Sequence, residues 1–317
     1  MIQNEKNEII VKVKIEQNDL NKKIYYLYNI DESNINQNTI QSDLLQNIKI
    51  TITLNDKVIG NYKKYFIPLN EGLYIITIKF LAIITNCNYL FYKCDNITEI
   101  DLSNFNSKNV TKMTSMFNSC KKLNNLILGN FNTDKVKSME ETFSDCENIE
   151  KIDISFFKTE NVKYMNLMFD NCKKLKEIIF PNELKLENLV NFGGMFYGCK
   201  KLEKLDLSGF ILEKAENMSR MFYGCTNLKE IYFNNKFNTK KVLTMEKMFY
   251  DCSNLTKIDL TSFSSDSLFN ANEMFRGCRN LENIDFSVFT FKNVKFVDNI
   301  VLGCEKLNYI TIQNIIK

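Results

Sequence analysis

The sequence predicts an α/β solenoid, a stack of short parallel strands and helical turns, preceded by a small β-rich N-terminal module. Three observations carry that expectation. From Cys94 onward the cysteines fall at Cys120, Cys146, Cys172, Cys199, Cys225, Cys252, Cys278 and Cys304, in steps of 26, 26, 26, 27, 26, 27, 26 and 26. The apolar residues keep the same clock, which marks stacked coils, none able to bury its apolar faces alone. Residues 1–72 lack the period, so the chain divides into a module over 1–72 and a solenoid of about nine 26–27-residue repeats over 73–317.

Within the N-terminal module, Ile9, Val11, Val13 and Ile15 alternate with Lys12 and Lys14, the period of a half-buried strand. A second strand follows over Lys23–Tyr28 after an N-D-L-N turn. Ile48–Leu54 and Val58–Ile59 flank Asn55-Asp56 as a hairpin would. A β-grasp-like or an immunoglobulin-like arrangement accommodates these strands. The module is expected to cap the first coil, whose core is otherwise exposed, or alternatively to carry a ligand site of its own. Tyr74, Ile76 and Ile78 form a transitional strand into the array.

Each repeat then reads C-x2-L-x2-I-x-L-x2-F-x4-V-x2-M-x2-M-F-x2-C. After Cys120 come Leu123, Leu126 and Leu128, and after Cys252 come Leu255, Ile258 and Leu260. The I-x-L stretch alternates with period two and predicts a short strand with those side chains inward. A Phe follows at Phe105, Phe131, Phe157, Phe210, Phe263 and Phe289, while Leu184 and Phe237 come one place late and absorb the extra residue of the two 27-residue steps. The V-x2-M-x2-M-F stretch, such as Val110, Met113, Met116 and Phe117, recurs at three and four and predicts a helical turn packed on the strand. The last repeat is degraded, with Val297, Ile300 and Val301 where Met, Met and Phe belong, and the final strand is expected over Leu307–Ile312.

These repeats, among them MTSMFNSCKKLNNLIL, MSRMFYGCTNLKEIYF and MEKMFYDCSNLTKIDL, resemble those of the BspA-like family of leucine-rich repeat proteins over roughly residues 87–312. The resemblance implies a curved leucine-rich-repeat-like solenoid. It also implies a surface or secreted protein of bacterial or protist type, engaged in adhesion and host or partner binding.

Composition removes several other functions. The chain has no His, which excludes Ser–His and Cys–His catalysis and His-containing metal sites. No two cysteines stand at the two-to-four-residue spacing of zinc ligands. Their regular step instead makes them small buried hydrophobes, Cys87 being a variant of the Met column, and no cofactor or metal is expected. Lys and Arg number 41 against 38 acidic residues and are dispersed, which gives no reason to expect nucleic acid as a partner. No stretch is apolar enough for membrane insertion. The opening MIQNEKNEII lacks the basic-then-apolar order of a secretory signal. That feature and the unpaired cysteines favour a cytoplasmic location, against the surface location the resemblance implies.

The candidate binding surface is the outward side of the strands. One outward column runs Glu99, Asn125, Lys151, Glu177, Lys204, Glu230, Lys257 and Asn283, and its alternating charges favour in-register stacking. The next runs Asp101, Ile127, Asp153, Ile179, Asp206, Tyr232, Asp259 and Asp285, a stripe of exposed apolar residues set between carboxylates. These eight residues are the expected contacts for a macromolecular partner, a protein or alternatively a glycan. Asp259 and Asp285 fall about 5 Å apart in adjacent coils, a carboxylate separation used by retaining glycosidases. They belong, however, to a repeated D-[LF]-[ST] turn, so repetition accounts for them without catalysis. The expected function is therefore non-enzymatic recognition, as a surface adhesin or as an intracellular scaffold, with a solenoid glycosidase the remote alternative. The final strand edge also offers a route to self-association.

Overall fold

The computed structural model describes residues 7–29, 44–60 and 64–311. Residues 1–6 of the opening stretch and Ile312, the last residue of the expected final strand, lie outside them.

The N-terminal module builds its main sheet from β1 (Glu8–Ile15), β3 (Ile48–Leu54), β4 (Lys57–Gly60) and β6 (Gly72–Phe80). β3 and β4 form a hairpin whose Asn55 and Asp56 both have positive φ, 50° and 61°, as a two-residue turn between twisted strands requires. β2 (Ile24–Tyr25) pairs with β5 (Tyr65–Phe66) in a separate small sheet, so the second strand expected over Lys23–Tyr28 is only two residues long. Alternation places Ile9, Val11, Val13 and Ile15 of β1 in the core with Tyr74, Ile76 and Ile78 of β6.

The array begins with β7 (Ile97–Asp101), and β1 pairs antiparallel with it on one edge and with β6 on the other. The module sheet thereby runs straight into the solenoid sheet, in the order β4-β3-β6-β1-β7-β8, where β8 is Asn125–Ile127. Lys12 of β1 meets Glu99 of β7 at 2.6 Å, so β1 forms a preliminary rung that closes the otherwise open edge of the first coil.

From Cys94 to Cys304 the chain winds a β-solenoid of about eight turns, the nine cysteines bounding eight coils. Its strands are short: β9 (Lys151–Asp153), β10 (Glu177–Ile179), β12 (Lys204–Asp206), β14 (Glu230–Tyr232), β15 (Asn283–Asp285) and β16 (Tyr309–Thr311). β11 (Leu184–Leu186) and β13 (Phe210–Leu212) pair separately, one corner further along the coil.

The expected helical turns are absent: the V-x2-M-x2-M-F stretch folds as consecutive tight turns. Among the described residues the only helical segments are two short 3₁₀ turns in the N-terminal module, Gln17–Asp19 and Leu44–Gln46. The coil around Met113 shows why. The N–H groups of Met116, Asn118 and Cys120 close turns onto the carbonyls of Met113, Ser115 and Phe117, at 3.3, 3.2 and 3.1 Å. The alternate N–H groups, of Ser115, Phe117 and Ser119, donate instead to Glu140, Thr142 and Ser144 of the next coil, at 2.9, 2.9 and 2.8 Å. An α-helix would use both sets internally. Here every second donor stitches one coil to the next, and Ser115 and Ser119 adopt φ of 51° and 61° to allow it. Turn corners bring residues three apart to the same side, so the apolar spacing alone does not separate them from a helix.

The turn side carries an unbroken row of aromatic rings. Phe91, Phe117, Phe143, Phe169, Phe196, Phe222, Phe249 and Phe275 form one continuous stack with centroid spacings from 4.9 to 5.7 Å. Beside it, each cysteine from Cys120 to Cys304 donates its thiol to the carbonyl of a stack Phe in the preceding coil, as Cys172 does to Phe143 at 3.1 Å. All ten cysteines are free, and burial pushes the thiols up, Cys225 to about 12 and the less covered Cys304 to about 11. Thiols so protonated are poor nucleophiles and metal ligands. The last coil is less well covered, Val297 being 43% and Ile310 40% exposed where their counterparts in the inner coils are buried or partly buried.

Candidate functional site

The Asp column has a structural duty on the strand side. Asp101, Asp153, Asp206, Asp259 and Asp285 each accept, through Oδ1, the N–H two residues on, from Ser103, Ser155, Ser208, Thr261 and Ser287 at 2.8 to 2.9 Å. Each carboxylate thus shapes the turn that ends its strand. Where the column is apolar, the turn is made by other means. Gly129 follows Ile127 with φ of 59°, Pro181 follows Ile179, and Asn234 follows Tyr232, taking the Lys236 N–H at 2.7 Å. The alternation of Asp with Ile or Tyr is therefore an alternation of turn chemistry, which frees Ile127, Ile179 and Tyr232 to present apolar surface. Ile127 is 39% and Tyr232 48% exposed, and Ile179 is half-buried.

The neighbouring charged columns group the coils in twos. Glu150-Lys151 faces Lys176-Glu177, with Lys176–Glu150 at 2.7 Å and Lys151–Glu177 at 2.9 Å. Glu203-Lys204 faces Lys229-Glu230 in the same way, at 2.9 and 3.0 Å. The parallel ladders follow this grouping, pairing β7 with β8, β9 with β10, β12 with β14 and β15 with β16. The alternation expected along one column is thus realised as double ion pairs within doublets. Lys176 holds the Glu150 carboxyl below its usual range.

Between the doublets β9–β10 and β12–β14 the strand face opens into a groove of about 600 Å³, lined by Ile179, Phe180, Pro181, Asp206, Ser208 and Tyr232 among others. One wall belongs to the 27-residue coil between Cys172 and Cys199, where Pro181 and Asn182 make the longer connection between β10 and β11. That connection passes so close to the next coil that a Cβ on Gly209 would stand 2.6 Å from the Asn182 carbonyl oxygen, which only glycine permits. The groove brings together Ile179, Asp206 and Tyr232 of the sequence-derived candidates. Asp101, Ile127, Asp153, Asp259 and Asp285 do not line it. At its rim Tyr232 donates its hydroxyl to Glu230 at 2.6 Å, and Glu230 also receives Lys204, which together hold the Glu230 carboxyl below its usual range.

The turn side carries a second concavity, of about 360 Å³, that sequence reasoning missed. Gly193-Gly194 occupies positions that hold Asn166-Leu167 in the coil before and Ser219-Arg220 in the coil after, and all six residues border the hollow. Asp170 and Tyr197 border it. Burial, aided by the nearby charge of Asp145, pushes the Asp170 carboxyl up to about 6. The signal in the sequence was the glycine pair itself, which breaks an otherwise side-chain-bearing column. Among the described residues, no group of three or more Cys, Asp and Glu is placed to hold a metal ion.

Fold and surface together define a tandem-repeat solenoid with two regular faces, each interrupted by an irregular concavity. A family profile described as "Mycoplasma protein of unknown function, DUF285" matches twice in tandem, over residues 85–210 and 190–314, and the chain belongs to this family. A comparison with curated proteins finds no match.

Proposed function

We propose that the protein is a non-enzymatic recognition module that binds a macromolecular partner, a protein in the first instance, along the strand face and centred on the groove at Ile179, Asp206 and Tyr232. The observation that carries this reading is the division of labour in the Asp column. Coils that form their turn without Asp expose Ile or Tyr instead, and Ile179 and Tyr232 do so at an indentation large enough to seat a partner's side chains. Aromatic and aliphatic anchors in a concavity rimmed by charge are the usual make-up of an interface centre. The Asp side chains act as rim and turn supports in this reading, each with one oxygen occupied by its own backbone. That occupation also weighs against the remote glycosidase alternative for Asp259 and Asp285. The resemblance to BspA-like repeats favours adhesion at a cell surface as the setting, with an intracellular scaffold as the alternative.

The test is comparative affinity capture with the native chain and with a variant carrying Ile127→Ser, Ile179→Ser and Tyr232→Ser. A partner retained by the native chain and lost from a variant with an unchanged melting midpoint supports the reading. Equal retention on both removes the strand face as the binding surface. Protease treatment of intact source cells separates the two settings, since cleavage before lysis requires exposure at the surface.

A further inference from the structure

On the turn face a ladder of three tyrosine rings ends differently on its two sides. Tyr197, Tyr223 and Tyr250 stack with 4.6 Å between successive centroids and interplanar angles of 2° and 3°. Beyond Tyr250 the protein's own Arg276 lays its guanidinium over the ring, 5.6 Å from the centroid, and pairs with Glu273 at 3.0 Å. A ring face and a carboxylate together suit a planar delocalised cation better than a compact ammonium. Beyond Tyr197 the same column holds the short Asp170 in place of a ring or a cation, and both residues border the hollow at Gly193-Gly194.

The lining of the hollow carries one carboxylate, Asp170, and one cation, Arg220. Glu140, Glu141, Asp145 and Asp170 come from the two coils on its N-terminal side. Their hydrogen-bond donors are neutral: Asn166 for Glu140, Ser115 and Asn118 for Glu141, and Ser144 for Asp170. Arg220 on the opposite wall is engaged with Glu246 at 3.5 Å. A ring and a carboxylate thus also border the hollow at the other end of the ladder, Asp170 standing in the column place that Arg276 holds at the first.

We propose that this hollow binds a guanidinium group, the arginine side chain of a protein partner, stacked on the outer face of Tyr197 and paired with Asp170. The site lies on the turn face and is independent of the strand-face groove, so either reading can fail without the other.

The experiment titrates the full chain, isotopically labelled, with acetyl-arginine amide and, separately, with the neutral analogue acetyl-citrulline amide, following amide shifts by NMR. The expected result is saturable shifts at Gly193, Gly194 and their neighbours for arginine, with binding on the order of tenfold weaker for citrulline. Asp170→Asn should weaken arginine binding by a similar factor while leaving the remaining spectrum in place, and Asp170→Glu should restore part of it. Equal binding of the two probes, shifts centred elsewhere, or no saturable shift up to the solubility limit would each overturn the proposal. The comparison of probes on the native chain needs no variant, so a folding defect in Asp170→Asn would not obscure the outcome.

Discussion

The turn face and the strand face share one repeat but join the coils in different ways. On the turn face the coil-to-coil bridges run without a break from Ser138 through Tyr164, Asn191, Asn217, Thr244 and Asn270 to Phe296, beside the unbroken Phe stack and the thiol–carbonyl bonds. On the strand face the ladders come in twos, and the coil containing Lys257–Asp259 forms no ladder with its neighbours. Continuous stitching keeps the coils in register from one side, which leaves the other side free to admit an extra residue and a groove. A single repeat can thus carry both a scaffold and a variable surface.

The sharpest way to break this comparison is to remove one ring of the stack. Phe169→Ala leaves a void between Phe143 and Phe196 and should cost about 3–5 kcal/mol in urea unfolding. A loss below about 1 kcal/mol, the scale of an exposed ion pair, would mean that the turn side is not the main source of stability.

A smaller effect concerns Asp170, faced by Ser144, Asp145 and Glu141. Its native carboxyl titrates near 6, above the ordinary value of 3.8, so the folded state holds that proton more tightly than the unfolded state. Its contribution to stability is therefore present at pH 4 and lost as the pH rises through 6. Asp170→Asn should be more stable than the native chain at pH 8, on the order of 1 kcal/mol once solvent screening is allowed for, with the gap closing by pH 4. Unfolding midpoints of both proteins across that range provide the check, and a gap independent of pH would refute the assignment.

The smallest effect belongs to the strand face. A double-mutant cycle on Lys204 and Glu230 should give a coupling of about 0.2–1 kcal/mol, because both side chains are exposed, and the coupling should fade at about 1 M salt. A larger, salt-resistant coupling would show that doublet pairing contributes more to the fold than its exposure implies.

Much of this architecture could be read from the residues. The cysteine step gave the coil length, alternation gave the inward Ile152 and Leu205, and repetition marked Cys87 as a member of the Met column, which the Leu90 N–H bond to its carbonyl bears out. The helical turns were misread because Val110, Met113, Met116 and Phe117 have the same spacing on a helix as on successive turn corners. What separates the two is the destination of the Ser115, Phe117 and Ser119 N–H groups, in the next coil and about 25 residues away along the chain. The groove and the hollow escaped for a related reason. An extra residue at Pro181 and a glycine pair at 193–194 read as slack in one coil, and they become concavities only when intact coils stand on either side.

By itself, then, the sequence determined the period, the identity of the buried columns and the apolar stripe offered to solvent, because each is a matter of residue type and spacing along the chain. Stacking decided the rest: turns in place of helix, strands laddered in twos, Asp committed to its own turn and Asp170 brought to the same hollow as Tyr197. These features depend on which groups of neighbouring coils meet, and residues some 26 positions apart come into contact only once the solenoid has closed.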